Sequence, residues 1–257
     1  MRAETEAAIR AVKRAQQIAD SREGAAKITS KGGIDLVTDA DVACEDAIRF
    51  ELTQAFPQYP VVGEERAGTP VAGKPYWLVD PICGTRHYAS DIPLYCTNVA
   101  FVEDGIVMCA AVGFGVTGEI VFAEKGRGAW SRTQAGQRPA SASSGSNAIW
   151  IDGKTERGAN VARNAALMKR WYVWQFSSTI SYAYLATGRI SGILHFCTPS
   201  IPPYGSVHIS AGCLIGAEAG AIVVDADTGA PWNIQTRSLM LAATPELAGQ
   251  LLELARS

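Results

Sequence analysis

The sequence predicts a layered α/β fold with mixed sheets. Helical and strand patterns alternate along the 257 residues, which brings helices onto the faces of sheets. Hairpin signals interrupt that alternation, so the sheets are not purely parallel. Hydrophobic residues make up 47% of the chain, enough for a sizeable core, yet no apolar run is long enough to span a bilayer. The net charge of −2 offers no basic surface for nucleic acid or an anionic membrane.

The first element is a helix. In "MRAETEAAIRAVKRAQQIAD" Ile9, Val12 and Ile18 recur at helical spacing with Arg and Lys between them. The stretch lacks the compact apolar segment and cleavage site of a signal peptide, so a cytoplasmic location is expected. "ITSKGGIDLVTDAD" reads as a Gly-containing loop running into a short apolar stretch. Thr38 and Asp41 have capping-box spacing for a helix over 39–56, with Ile48, Leu52 and Ala55 on one face. "YPVVGEE" and "PYWLVDP" read as strands that end on acids. "TNVAFVEDGIVMCAAVGF" and "GEIVFAEKGRGAW" read as hairpins.

Residues 131–147, "SRTQAGQRPASASSGSN", form a polar Ser/Gly/Ala stretch, the best boundary in the chain. It divides an N-terminal α+β half, 1–140, from a C-terminal α/β half, 141–257, within one compact two-part unit. Beyond it "AIWI" and "YVWQF" read as strands. "SSTISYAYLATGRISG" and "HISAGCLIGAEAGA" read as helices, and "AIVVDADTGAPW" as a strand and turn. "TPELAGQLLELAR" is a last helix with Thr244 as N-cap and Pro245 at the first helical position. The six cysteines are scattered without a CxxC pair; in a reducing compartment most behave as small buried hydrophobes. His195, in apolar "GILHFC", reads as a core histidine.

Glu64, Glu65 and Asp80 stand at the ends of apolar runs, where carboxylates can converge on a hard cation. With "DLVTDAD", "VVGEE", "WLVDPICGT", "GEIVFAEKGRGAW", "ATGRISG" and "AGCLIGAEAGA" in this order, the chain resembles the inositol monophosphatase family of metal-dependent sugar and cyclitol phosphatases. The resemblance implies an αβαβα sandwich, a homodimer, magnesium and a small phosphorylated substrate. It assigns Glu64, Asp80 and the Ile82 carbonyl to metal. Thr85 and Asp41 match the pair that orients the attacking water. The N–H groups of Gly84 and Thr85, with Arg86, match the phosphate cradle, and Lys31 sits one position out of register with the family's loop lysine. A helix N-terminus is also a physical reason for anion binding.

Two metal-binding aspartates of the family pattern are replaced, by Cys83 and His208, and the acid that often holds substrate hydroxyls aligns with Ile201. Magnesium has little affinity for thiolate or imidazole, so it is poorly matched here. The resemblance places Cys83 and His208 close together in space. Three readings stay open. Cys83 acts as a thiolate nucleophile with a lowered pKa beside Arg86, His208 and a helix start, and no metal is needed. Glu64, Asp80, Cys83 and His208 hold zinc or iron. Or the site binds a ligand or partner without turnover. The expectation is an enzyme acting on a small, polar, phosphorylated metabolite through the remodelled Cys83/His208 site. A magnesium-dependent phosphomonoesterase with fewer metals is the alternative, and a non-catalytic homologue a further one.

Overall fold

The computed structural model describes residues 1–32, 35–152, 161–196 and 201–256. The chain opens with helix α1 (Ala3–Arg22), the hairpin of β1 (Ile28–Gly32) and β2 (Asp35–Thr38), and helix α2 (Asp39–Ala55). Next come β3 (Val61–Gly63), β4 (Tyr76–Cys83), the short helix α3 (Thr85–Tyr88), β5 (Cys96–Glu103) and β6 (Ile106–Phe114). They are followed by β7 (Ile120–Glu124), β8 (Gly128–Thr133), β9 (Gly136–Pro139), β10 (Ala148–Asp152), α4 (Val161–Met168) and β11 (Tyr172–Phe176). The remainder is α5 (Ile180–Ala186), β12 (Gly192–Phe196), α6 (Ser210–Glu218), β13 (Ile222–Asp225), β14 (Ser238–Ala242) and α7 (Pro245–Ala255).

Seven strands form one sheet in the order β3-β4-β5-β6-β7-β8-β9, and five form another in the order β11-β10-β12-β14-β13. Both are mixed: β3 runs parallel to β4, and β10 parallel to β11 and β12, while β4 to β9 and the β12-β14-β13 pairs are antiparallel.

Apolar side chains set the layers, because each sheet face and helix stripe must be covered. Val12 of α1 and Ile48 and Leu52 of α2 pack on Trp77, Val79 and Phe101, one face of the seven-stranded sheet. Leu78, Ala110 and Val121 on its other face meet Ile180 of α5 and Ala211 and Ile215 of α6. Those two helices turn Tyr182, Leu185 and Cys213 onto Trp150, Ile193 and Leu241 of the second sheet. Its far face, with Ile149 and Met240, lies under Leu167 of α4 and Leu247 and Leu251 of α7. The result is an αβαβα sandwich.

Local signals hold at both helix starts that the sequence marks. Thr38 and Asp41 form the capping box of α2, and Thr244 caps α7 with Pro245 following. Two predicted loops are strands instead. "ITSKG" and "DLVT" pair as β1 and β2, and the polar stretch after residue 131 contains β9, an exposed edge paired to β8. Neither shows an apolar alternation, which records burial of one face; residues 28–30 and all of β9 are exposed. The sequence reading also omits α4 and β14. Among the described residues, no helix is long and apolar enough to cross a membrane.

Candidate active site

The site starts with an irregularity in β4. Asp80 and Cys83 are three residues apart, so a regular strand would point them to opposite faces. The register with β5 shifts between them: Asp80 pairs with Asn98, but Cys83 pairs with Cys96. Pro81 lies in the gap and has no N–H for the ladder. This bulge flips the facing, as bulges beside active sites do. Leu78 and Cys83 thus share the inner face, while Val79 and Ile82 share the outer one. Beyond Cys83 the chain turns at Gly84, whose φ is +101° and whose added Cβ would lie 2.8 Å from the Leu94 carbonyl oxygen. Only glycine fits that turn, and α3 begins directly after it.

His208 arrives from the other half of the chain, just ahead of α6. Its Nδ1 lies 2.7 Å from Asp80 Oδ2 and 3.8 Å from Glu64 Oε2. Ligand-capable atoms of Asp80, Cys83 and His208 all fall within 4.8 Å of one another. The Asp80 side chain is fully buried, whereas that of His208 is 47% exposed. Asp80 Oδ1 is buried with no hydrogen-bond partner. Thr179 donates to Cys83 Sγ twice, from Oγ1 at 3.0 Å and from its backbone N at 3.4 Å.

Across the turn, Thr85 Oγ1 lies 3.2 Å from Asp41 Oδ1 and 3.1 Å from the Ile82 carbonyl oxygen, either of which can accept its proton. Asp41 Oδ2 accepts the Thr38 N–H at 2.8 Å. The acidic loop after β3 is pinned from below. Buried Glu45 accepts from the backbone N of Glu65 at 2.6 Å, from that of Arg66 at 3.0 Å and from Arg49 Nε at 2.8 Å. Gly63 leaves room for this: a Cβ there would lie 2.0 Å from Glu45 Oε1.

Electrostatics divide these groups. Burial raises the Asp41 pKa to about 6; Thr38 hydrogen bonds oppose the rise, and Glu65 and Glu64 add to it. Burial alone would discharge His208, but the Asp80 and Glu64 carboxylates reverse that and hold its pKa well above the usual value. The Cys83 thiol moves opposite to the sequence expectation. Its hydrogen bond with Cys96, its burial and the Asp80 charge push the pKa well above normal, and His208 only partly opposes them. Cys83 is 8% exposed and packed against apolar neighbours, surroundings that oppose the activated thiolate expected from sequence. The short helix α3 and Arg86 do not reverse that.

Comparison with known proteins agrees with this frame. The family model for the inositol monophosphatase family matches residues 1–257. The chain belongs to that family. It is 28% identical to the inositol-1-monophosphatase of Caulobacter vibrioides over 244 residues, covering 90% of this chain and 91% of that one. It is 31% identical to the inositol-1-monophosphatase of Rhizobium meliloti over 216 residues, covering 79% and 77%. In fold it is similar to the extragenic suppressor protein suhB of Bartonella henselae, with a TM-score of 0.86, 21% identity and 98% of each chain covered. It is likewise similar to an IMPase of Thermotoga maritima, with a TM-score of 0.83, 22% identity and 96% and 94% covered.

Magnesium, the cofactor the family resemblance implies, asks for near-octahedral oxygen ligation. The donor atoms that converge here are one carboxylate oxygen, one sulfur and one ring nitrogen. The His208 ring nitrogen already sits against Asp80 and near Glu64, and the Ile82 carbonyl is within reach of Thr85. The sulfur and ring nitrogen of the Asp80–Cys83–His208 trio are poor donors for magnesium, whereas Glu64, Asp80 and the Ile82 carbonyl would offer it oxygen.

Of the other residues singled out from sequence, Arg86 is half-buried in α3. Lys31 lies in β1, with its side chain outside the described part of the structure, as is Cys197. The other five cysteines are buried. Ile201 packs against the layer between the middle helices and the second sheet. His195 is buried and shares a 2.7 Å hydrogen bond with the Tyr182 hydroxyl. Sequence reasoning misses Glu45 and Thr179. Glu45 carries a weak signal, its i,i+4 spacing from Arg49; Thr179 carries none.

Proposed function

We propose that the chain is a phosphatase-type enzyme that hydrolyses the phosphate ester of a small polar metabolite. The observation that carries this reading is the Thr85–Asp41 contact of 3.2 Å, set beside the α3 turn and opposite the Asp80–His208 pair. The phosphate group sits on the N–H groups of Gly84 and Thr85 at the turn into α3, the cradle that the family resemblance implies. Water held on the Thr85 hydroxyl passes a proton through it to the Asp41 carboxylate, and its oxygen attacks phosphorus. The P–O ester bond then breaks, and the leaving oxygen takes a proton from solvent. The His208 imidazolium, held by Asp80 at 2.7 Å, supplies fixed positive charge to the developing oxyanion. Cys83 shapes this pocket and holds the sulfur beside His208, without attacking the substrate itself.

Ile201 in place of the family's acid supports a substrate other than one posed through hydroxyls at that position. The reading includes a homodimer, by family resemblance, checked by light scattering. The two halves divided near residue 140 act as one unit; the middle helices, which pack on both sheets, support this.

The test is phosphate release from a panel of phosphorylated sugars, cyclitols and polyols. The expected result is turnover of at least one, with Thr85→Val and Asp41→Asn each lowering kcat by about 10²-fold or more, the range for lost proton transfer. Tight binding with no phosphate released from any member would overturn the hydrolytic reading in favour of a binding homologue.

A further inference from the structure

We propose that Asp80, Cys83 and His208 form a binding site for one soft divalent cation of the zinc type. The three offer a carboxylate oxygen, a sulfur and a ring nitrogen within 4.8 Å of one another. Three protein ligands with a fourth position left open is the pattern of reactive zinc sites. The open position has a direction here, because His208 is the half-exposed member and Asp80 is fully buried. Charge agrees with the assignment. A carboxylate and a thiolate together neutralise a dication, and a neutral imidazole adds a donor without adding charge.

A separate observation points the same way. Asp80 Oδ1 is buried and accepts nothing, although a buried carboxylate oxygen without a partner is costly. A cation at the trio gives it one. The surroundings of the sulfur also suit a metal thiolate. Thr179 aims its hydroxyl and its N–H at Cys83 Sγ, and such outer hydrogen bonds orient and tune ligating atoms. Thr179 is itself fixed, since Asn98 Nδ2 donates to its hydroxyl at 3.1 Å. Coordination requires thiolate and an unprotonated ring nitrogen, so the protons on those two atoms pass to solvent as the metal binds. Nitrogen and sulfur bonds make that exchange favourable for zinc, cobalt or iron(II), and not for magnesium.

This deepens the phosphatase reading and rests on the same residues: with the dication bound, His208 is a neutral ligand, and the metal in place of the imidazolium would present positive charge to an incoming phosphate. Its test needs no turnover, so the two ideas fail separately. Cobalt(II) is added to the metal-stripped, full-length chain. A thiolate-to-cobalt charge-transfer band should appear and saturate at one equivalent. Zinc should abolish it, and a large excess of magnesium should not. Cys83→Ser should remove the band and His208→Gln should weaken binding by about tenfold or more, while Cys109→Ser, in a different core cluster, should leave it intact. Equilibrium dialysis of the unmutated chain should retain one zinc. A folded wild-type chain that gives no charge-transfer band and retains no zinc would overturn the proposal, as would a band that survives Cys83→Ser. Cobalt binding without phosphatase activity would leave the metal site standing and remove the functional reading.

Discussion

The Asp41–Thr85 pair and the Asp80–Cys83–His208 trio are held by different means. The first is local. Asp41 is fixed by its own capping box, Thr85 by the turn at Gly84, and the neighbouring acidic loop by Glu45 four residues further along α2. Its donors and acceptors are oxygens, backbone nitrogens and the Arg49 guanidinium. The second is assembled over distance, by a bulge in β4 and by a residue ahead of α6 that packs from the other half of the chain. Its chemistry is mixed: oxygen, sulfur and nitrogen. The local pair keeps a direct hydroxyl–carboxylate contact of 3.2 Å. On the reading proposed above, the assembled trio would decide which cation is accepted, while the Asp41–Thr85 pair would handle the proton.

The comparison breaks most sharply at Asp41. Asp41→Asn should lower kcat by about 10³-fold with cobalt binding at the trio unchanged; a matching loss of cobalt binding would show that the two sides act as one.

Stability against pH is a second test. Asp41 has a folded pKa of about 6 against an ordinary 3.8, so the fold favours its protonated form. Its contribution is therefore intact below about pH 4 and is lost as pH rises to about 6, a total of about 3 kcal/mol at 1.4 per unit. Urea midpoints between pH 4 and 7 should show this decline in the wild type and not in Asp41→Asn. Parallel curves for the two would remove Asp41 as the source.

Glu45 probes the support of the acidic loop. Glu45→Ala leaves a half-buried Arg49 and two backbone N–H groups without their acceptor, so unfolding free energy should fall by about 2–3 kcal/mol. An unchanged urea midpoint would show that the loop holds itself. The smallest effect belongs to Thr179→Val. It removes one donor to Cys83 and one acceptor for Asn98, worth about 1 kcal/mol, and should weaken cobalt binding without moving the Asp41-dependent pH decline.

The same division governs what the sequence makes legible. The capping box at Thr38 and Asp41, the acid at the end of "WLVDP" and the last helix behind Thr244 all appear in short windows, and each stands where expected. The direction of the Cys83 pKa does not appear, because its causes are cross-strand. Arg86 and the helix start are neighbours in sequence, but Cys96 meets Cys83 only through the register of β4 with β5. Glu45 is hidden for the same reason: its role depends on Gly63 passing over it. β1, β2 and β9 are hidden because their residues lack the apolar alternation that burial imposes.

The most direct test of the mixed side reverses it. Cys83→Asp with His208→Asp restores oxygen donors at both positions, and calorimetric titration then reads magnesium affinity in a chain whose fold is checked by circular dichroism. Magnesium binding should tighten by about tenfold or more, roughly 1.4 kcal/mol, while the cobalt charge-transfer band disappears. A folded double variant that binds magnesium no better than the wild type would contradict the claim that these two positions decide which cation the pocket accepts.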